Sequence, residues 1–399
     1  MPQPLHIIIA GAGIGGLSAA LALLQRGFRV SVYEQATALA ETGAGIQISA
    51  NGARCLFSFG LEAALSAIWN EPLGKEVRLW DSGTTWKLFD LGAVSRQRYG
   101  APYFMVHRGD LHRILADAVR ALAPDAIRLG ARAEAFSQAC DHVTLKLAND
   151  TAIAGDALIG ADGVHSRIRN LLVGDARAEF TGCIAWRGLV AVEALPEHLR
   201  RAVGTNWVGP GGHVVHYLIR RGEMLNVVGI VERQDWRVES WTAQGTAQEC
   251  LGDFPGWHAD VRLMLKQIAM PYKWALLSRT PLRRWSDGRV TLLGDAAHPT
   301  LPMMAQGASM AIEDAVVLAR CLADDAPDVT AALARYERAR HERTSKLVTA
   351  ANDNAQRFHN PALATPQGAQ RYVESEWQED KIKARYDWVF DYDAMNVSL

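Results

Sequence analysis

The 399-residue chain is short of three things: long apolar runs, net charge and cysteine. No apolar stretch approaches the roughly 18 residues that cross a bilayer, and the chain opens on a strand pattern rather than an export leader. A cytoplasmic protein is therefore expected, without a membrane partner. With 42 basic and 43 acidic residues the formal net charge is −1, so no global field attracts nucleic acid. The five cysteines (Cys55, Cys140, Cys183, Cys250, Cys321) show neither C-x-x-C nor metal-ligand spacing. That excludes a disulfide framework and gives no reason to expect a metal. Internal repeats and low-complexity tracts are also missing. What remains is ordinary globular composition, 49% hydrophobic and 21% charged, in a chain long enough for two domains.

The stretch that organises the chain is its first thirty-four residues. An apolar run ending at Ala10 reads as a strand buried on both faces, and Gly11-Ala12-Gly13-Ile14-Gly15-Gly16 follows without a gap. Leu17, Ala20, Leu21 and Leu24 recur at helical spacing, Gly27 stops the helix, and Val30–Tyr33 is a second strand ending on Glu34. This β-turn-α-β unit carries G-x-G-x-x-G and an acid in register. The glycines admit a pyrophosphate, the helix N-terminus faces it with free N–H groups, and Glu34 takes ribose hydroxyls.

Further along, Ala44-Gly45-Ile46-Gln47 after Gly43 reads either as backbone packed on something flat or as a bulged strand. Residues 73–100 mix strand and turn signals and read as an excursion into another domain. Arg108 stands ahead of a helix N-capped by Asp110, as a phosphate or ribose partner or as a plain surface arginine. Residues 127–136 read as one strand. Asp162-Gly163 is a tight turn at a strand's carboxyl end, the edge where open α/β sheets bind ligands. Between Trp186 and Trp285 lie seven of twelve tryptophans among strand-like stretches, which suits a β-rich second domain. On one of its strands His213, Val215 and Tyr217 share a face and His216 points away. Asp295 ends a later strand, and a helix beginning near Gln306-Gly307-Ala308 aims its first N–H groups at that loop. A helix over about 328–357 and an acidic, aromatic tail are expected on the outside or against another subunit, so a homodimer is plausible.

Together, the Gly11–Gly16 loop with Glu34, Gly160-Ala161-Asp162-Gly163, and Gly294-Asp295-Ala296-Ala297-His298-Pro299 resemble the single-component FAD-dependent aromatic hydroxylases. Within these the chain resembles the branch of salicylate hydroxylase, 3-hydroxybenzoate 6-hydroxylase and 6-hydroxynicotinate 3-monooxygenase. The resemblance covers residues 5 to about 350. It implies an α/β fold with a Rossmann-like FAD-binding domain of the glutathione-reductase type (1–72, 101–175, 281–327). A β-rich substrate domain (73–100, 176–280) is inserted in it, and a helical region (328–399) follows. Gly11, Gly13, Gly15 and Gly16 would lie at the pyrophosphate, Glu34 and Gln35 at the ribose, and Ala133 at adenine. Arg108 would contact the phosphate or ribityl region and Asp295 the ribityl chain. Gly307 and Ala308 would face the flavin pyrimidine edge, Asp162 would serve both FAD and a visiting NADH or NADPH, and Gln47 would also touch the cofactor. One dinucleotide fingerprint suits a family that keeps FAD and lets NAD(P)H visit.

The resemblance also implies the chemistry: NAD(P)H reduces FAD, O2 adds at C4a, and the resulting hydroperoxide delivers oxygen to an electron-rich ring. The protein must orient the ring, remove a phenolic proton and exclude water. His213 is the expected base, with a histidine bonded within the sheet as the other reading, and Tyr217 is expected to hold a substrate oxygen. Gln47, Pro302 and Met303 are the expected pocket residues. They also depart from the relatives: Gln47 stands where 6-hydroxynicotinate enzymes carry histidine, Pro302 where 3-hydroxybenzoate enzymes carry glutamine, and Met303 replaces tyrosine or histidine. A salicylate-like hydroxy-aromatic acid is the favoured substrate. The alternatives are the other two substrates of the branch, or a non-hydroxylating reductase, oxidase or regulator. No W-x-W-x-I-P halogenase motif occurs.

Overall fold

The computed structural model describes residues 3–39, 44–174, 178–236, 243–324 and 328–399; Gly43 and Trp241 lie outside them. The first apolar run is the strand His6–Ala10, buried throughout. It lies parallel to and between Arg29–Tyr33 and Ala157–Gly160. Val290–Leu292, Ile127–Arg128 and an antiparallel Ser286–Asp287 complete six strands. A parallel strand needs cover on both faces. Ile7 and Ile9 pack against Ile14–Leu24 and Gly307–Asp324 in one apolar cluster. Ile8 and Ala10 pack in another against the three-stranded antiparallel sheet Ala133–Gln138, Val143–Leu147, Ala152–Gly155. The single strand expected over 127–136 is therefore two, one in each sheet, parted where Gly130 takes φ +65°.

The second sheet has seven strands, in the order Tyr272–Ser278, Glu179–Ala191, Met224–Glu232, Gly212–Ile219, Val203–Gly209, Gly74–Leu79, Thr85–Asp90. All neighbours are antiparallel except Val203–Gly209 with Gly74–Leu79. A parallel pair requires a long crossover, and here that crossover passes through the six-stranded sheet. Between Thr85–Asp90 and the return lies a helix, Ala93–Tyr99, where only strand and turn signals were read. Side-chain alternation gives the sheet two faces. Leu79, Val208, Ile230, Ala185 and Trp274 belong to the core shared with the nucleotide-binding layers. Trp186, Trp207, Val214 and Leu218 belong to a separate core under Ala247–Gly252 and Ala259–Lys266.

The C-terminal region is less peripheral than the expected outer tail, because part of it packs into the core of its own chain. After the helix Val329–Phe358 come Pro366–Glu376 and Glu379–Phe390. Val389, Phe390 and Ala394 are buried in the main core, and Arg54 donates to the carbonyls of Phe390 and Tyr392 at 2.7 and 2.6 Å.

Candidate functional site

The glycine loop is shaped by contacts that leave no room for side chains. Gly11 has φ +102°, and a Cβ there would stand 2.4 Å from the Ala161 carbonyl oxygen. A Cβ on Gly16 would stand 2.0 Å from the Gly11 carbonyl oxygen, and one on Gly15 would meet Leu293. Gly13 differs: nothing lies within 4 Å of its missing Cβ, so it opens onto free space at the first turn of the helix. Glu34 accepts from the Ala12 and Ala36 amides at 2.8 and 2.9 Å, which brings its carboxylate against the loop. Gln35 beside it is exposed. Residues 128–131 run alongside through Glu34 N–Arg128 O and Ala131 N–Glu34 O bonds and lead into Ala133. His112 locks the Arg108 helix onto the loop with a 2.7 Å contact to the Ala12 carbonyl.

Two more loops meet there. Both Asp162 oxygens serve its own turn, accepting from Ser166 Oγ (2.5 Å) and the amides of Arg167 and Ile168 (2.7 and 3.1 Å). Arg169 ties this turn to the next loop through the carbonyls of Val164, Asp295 and Ala296. Asp295 keeps accessible surface. Yet burial raises its pKa above the ordinary carboxyl value, against the pull of His298, Arg108, Arg279 and Arg169. A carboxylate both accessible and closely surrounded lies at the bottom of a cleft. Arg108 shares this cleft: burial lowers its pKa and the Asp295 charge opposes that. Gly307 opens the following helix with its absent Cβ 3.9 Å from Asp295 Oδ1, and Ala308 comes next, half-buried. The loop is anchored from below by a buried charge cluster. His298 contacts Asp314 at 2.6 Å, and Arg340 pairs with Asp314 and Glu313 at 2.7 Å each. An open glycine at a helix N-terminus, a carboxylate beside it and a cation–carboxylate pair along one cleft fit an adenine dinucleotide carrying a flavin.

The inward face of the seven-stranded sheet looks onto the same layer. Its register puts Leu79, Val208, His213, Ile230, Ala185 and Trp274 in one cross-strand row. The next holds Val77, Asn206, Val215, Val228, Arg187 and Tyr272. One step beyond the Thr205–His216 pair comes the row of Lys75, Gly204, Tyr217 and Asn226. Lys75 Nζ donates to the Tyr103 hydroxyl at 2.8 Å, and Tyr103 donates to Gln47 Oε1 at 2.6 Å. Gln47 lies against Tyr217, whose pKa burial raises. The stretch before Gln47 is an unbulged strand pressed onto this row: a Cβ at Gly45 would meet Asn226 and Tyr217 at 2.8 Å. The Gly45 amide donates to Asn226 Oδ1 at 2.7 Å, and Asn226 Nδ2 has no partner among the described residues. Arg187 lies over the Tyr272 and Trp274 rings, and burial, with the Arg108 charge, lowers its pKa to about 10.

His213 is buried and its Nδ1 is 2.7 Å from His359 Nε2, so this histidine is bonded to the C-terminal region rather than within the sheet. Burial and His359 hold its pKa well below the usual imidazole value. Met303 is buried with its carbonyl facing Asn354, and Pro302 is exposed at the start of a short 3-10 turn. Sequence reading missed Lys75, Tyr103, Asn226 and His359. Lys75 and Tyr103 carry no motif, and His359 follows a long helix with nothing to connect it to a strand almost 150 residues earlier. Only the assembled sheet register brings them together.

Comparison with known proteins agrees with this geometry. The FAD-binding-domain family matches residues 5–351. A 3-amino-4-hydroxybenzoate 2-monooxygenase of Streptomyces platensis is 38% identical over 98% of this chain and 97% of its own length. A 3-hydroxybenzoate 6-hydroxylase of Polaromonas naphthalenivorans is 36% identical over 99% of this chain and 98% of its own. A salicylate hydroxylase solved as a substrate complex superposes with a TM-score of 0.82 at 26% identity, over 98% of this chain and 96% of that one. The chain belongs to the FAD-dependent aromatic hydroxylases, enzymes that use FAD and NAD(P)H to place oxygen on an aromatic ring.

Proposed function

We propose that this enzyme hydroxylates a small aromatic or N-heteroaromatic carboxylic acid bearing a ring hydroxyl. Lys75 meets the carboxylate and His213 takes the phenolic proton. The observation that carries this reading is Lys75. Its side chain is half-buried, its only polar partner among the described residues is the Tyr103 hydroxyl, and burial lowers its pKa to about 7. A buried cation without an anion is costly. A carboxylate arriving beside Tyr103, Gln47 and the spare Asn226 amide would relieve that cost. The named relatives act on ring acids of this kind.

Four steps along the strand separate Tyr217, in the Lys75 row, from His213, a span of roughly 13 Å between Cα atoms. Side chains shorten that span, but a hydroxyl adjacent to the carboxylate does not bridge it. We therefore favour a hydroxyl meta or para to the carboxylate over the ortho arrangement of salicylate that the sequence suggested. FAD, reduced by NAD(P)H, supplies the activated oxygen; the Gly11–Gly16 loop, Glu34, Arg108 and Asp295 would hold it. His213 Nε2 is free to accept the phenolic proton, which makes the ring electron-rich. Tyr217 stays protonated and orients the ring oxygens, while Met304 and Phe358 keep water away.

The test is NADH and NADPH consumption in air, with hydroxylated product and peroxide quantified together. The panel is 3-hydroxybenzoate, 3-amino-4-hydroxybenzoate, 6-hydroxynicotinate and salicylate. A meta- or para-hydroxy acid should accelerate oxidation and give product with little peroxide. Peroxide alone across the panel would sink the reading and favour a non-hydroxylating oxidase.

A further inference from the structure

His213 is one end of a chain of three side chains that runs from the sheet face to the protein's edge. Its Nδ1 lies 2.7 Å from His359 Nε2, and His359 Nδ1 lies 3.3 Å from Glu232 Oε1. His213 and His359 are 2% and 6% exposed, whereas the Glu232 side chain is 57% exposed. Beyond them is a cavity of about 290 Å³ that both His359 and Glu232 line, together with Cys183 and Gln234. The mechanism above uses only the inner end of this chain.

Donor and acceptor chemistry fixes its direction. A carboxylate only accepts, so His359 carries its proton on Nδ1 and offers the Nε2 lone pair. His213 must then donate from Nδ1, which leaves its own Nε2 as the acceptor. That atom has no partner among the described residues, yet it is not among the fully buried polar atoms.

We propose that His359 and Glu232 are positioning residues that hold His213 in its basic tautomer and carry the phenolic proton from it to the edge cavity. This rests on the reading of His213 as the base. The transfer balances: the substrate O–H bond breaks as His213 Nε2–H forms, His213 Nδ1–H passes to His359 Nε2, and His359 Nδ1–H passes to Glu232, which yields it to water. Run inward, the same chain returns one proton to the product oxygen and restores both tautomers. His213 needs this outlet. With its pKa held down by burial and by His359, and with Phe358 at 5.1 Å excluding water on one side, it cannot keep the proton it takes. Among the described residues, the titratable groups facing the pair are Glu232 and Cys183. Burial and Glu232 push the Cys183 thiol up to about 11, so it takes no part near neutral pH.

The experiment uses FAD-loaded enzyme without NAD(P)H and 4-hydroxy-3-nitrobenzoate, whose phenolate is coloured. Phenolate formation is followed by stopped flow across pH, with an indicator dye reporting proton release. Glu232→Gln and His359→Gln should slow phenolate formation roughly tenfold or more. Probe affinity should change far less, and Glu232→Asp should restore most of the rate. Wild-type rates and pH profiles in both Gln variants, with phenolate abolished in His213→Gln, would overturn the relay and leave the base standing. Unchanged phenolate formation in His213→Gln would overturn the base and the relay with it. Should His359→Gln fail to retain FAD, the surface substitution Glu232→Gln decides alone.

Discussion

The two faces of the seven-stranded sheet are built from the same strands, one residue out of phase, and their polar groups are treated in opposite ways. Lys75 and Glu76 are neighbours. Glu76, on the outer face, pairs with Arg78 at 2.8 Å and Arg201 at 3.1 Å and accepts from Thr205 at 3.0 Å. Lys75, on the inner face, has a hydroxyl and two aromatic rings and, among the described residues, no carboxylate. His213 and His216 differ in another way. His216 sits near Arg78 and Arg201, has both ring nitrogens buried without partners among the described residues, and is held neutral with a pKa of about 3. His213 belongs to a hydrogen-bonded chain and keeps one nitrogen available. Paired charges and an imidazole held neutral mark the face that only holds the fold. An ammonium without a carboxylate and an imidazole with one nitrogen available mark the face that waits for a ligand.

Histidine substitutions break this comparison most sharply. His213→Gln should lower kcat by roughly 100-fold or more through loss of the base, with a much smaller change in KM. His216→Leu, three residues away, should leave both constants within about twofold and stability within about 1 kcal/mol, because a neutral unpaired ring is exchanged for a packed side chain. Equal losses from the two, measured by steady-state kinetics and thermal melts, would remove the functional distinction between the faces.

The charged pair comes next. Lys75→Met should raise KM for the acid substrate roughly 10- to 100-fold, which is about 1.4–2.8 kcal/mol of binding, and should leave Tm unchanged or higher. Glu76→Gln should do the reverse: about 3 kcal/mol of stability lost by leaving Arg78 without its buried partner, and KM unchanged. The neutral 3-hydroxybenzamide sharpens the test, since its binding should be indifferent to Lys75.

The nucleotide-binding half was legible because its chemistry is local: glycines, a helix start and Glu34 lie within thirty-four residues and report on one another. The Asp295 strand-end and the two faces of the His213 strand were legible for the same reason, since period-two alternation needs no tertiary knowledge. The rest was not. Lys75 reaches the site because a parallel pairing joins residues 74–79 to 203–208, and His359 because a thirty-residue helix ends beside Gly211 and His213. The acidic, aromatic tail is expected on the outside or against another subunit, whereas Phe390 packs inward and the tail's backbone carbonyls serve Arg54 and Arg343. Long-range pairing has no signature in a single chain's spacing, so the groups it brings together stay hidden until the register is known.

Lys75 also predicts a pH dependence. Its pKa is about 7 in the fold against 10.5 for an ordinary lysine. Between these values the unfolded chain binds more protons than the folded one, so this residue makes stability rise with pH from about 7 to about 10.5. Affinity moves the other way: above about pH 7 the free enzyme loses the ammonium, and Kd for benzoate should weaken by up to tenfold per pH unit until the charge is gone. Benzoate has no phenol to titrate, which isolates the lysine from His213. Lys75→Met should flatten both profiles, and a benzoate Kd that is already flat in the wild type would place the carboxylate elsewhere.

The smallest effect concerns the gap in the row between Lys75 and Tyr217. Gly204 occupies it, with an extended backbone that needs no glycine; what glycine supplies is space. A Cβ there would stand 2.9 Å from Met105 Cε and 3.4 Å from Lys75 Cγ. Met105 is flexible at its tip and can yield, so Gly204→Ala should fold with a stability change within about 1 kcal/mol. The displaced atoms border the lysine, so the change should appear in binding instead: KM for the acid should rise about two- to threefold with kcat unaltered. If a single methyl at this position alters kcat and leaves KM alone, then the Lys75 row orients the reacting ring instead of anchoring its carboxylate, and the division of labour between the Lys75 row and the His213 row has to be redrawn.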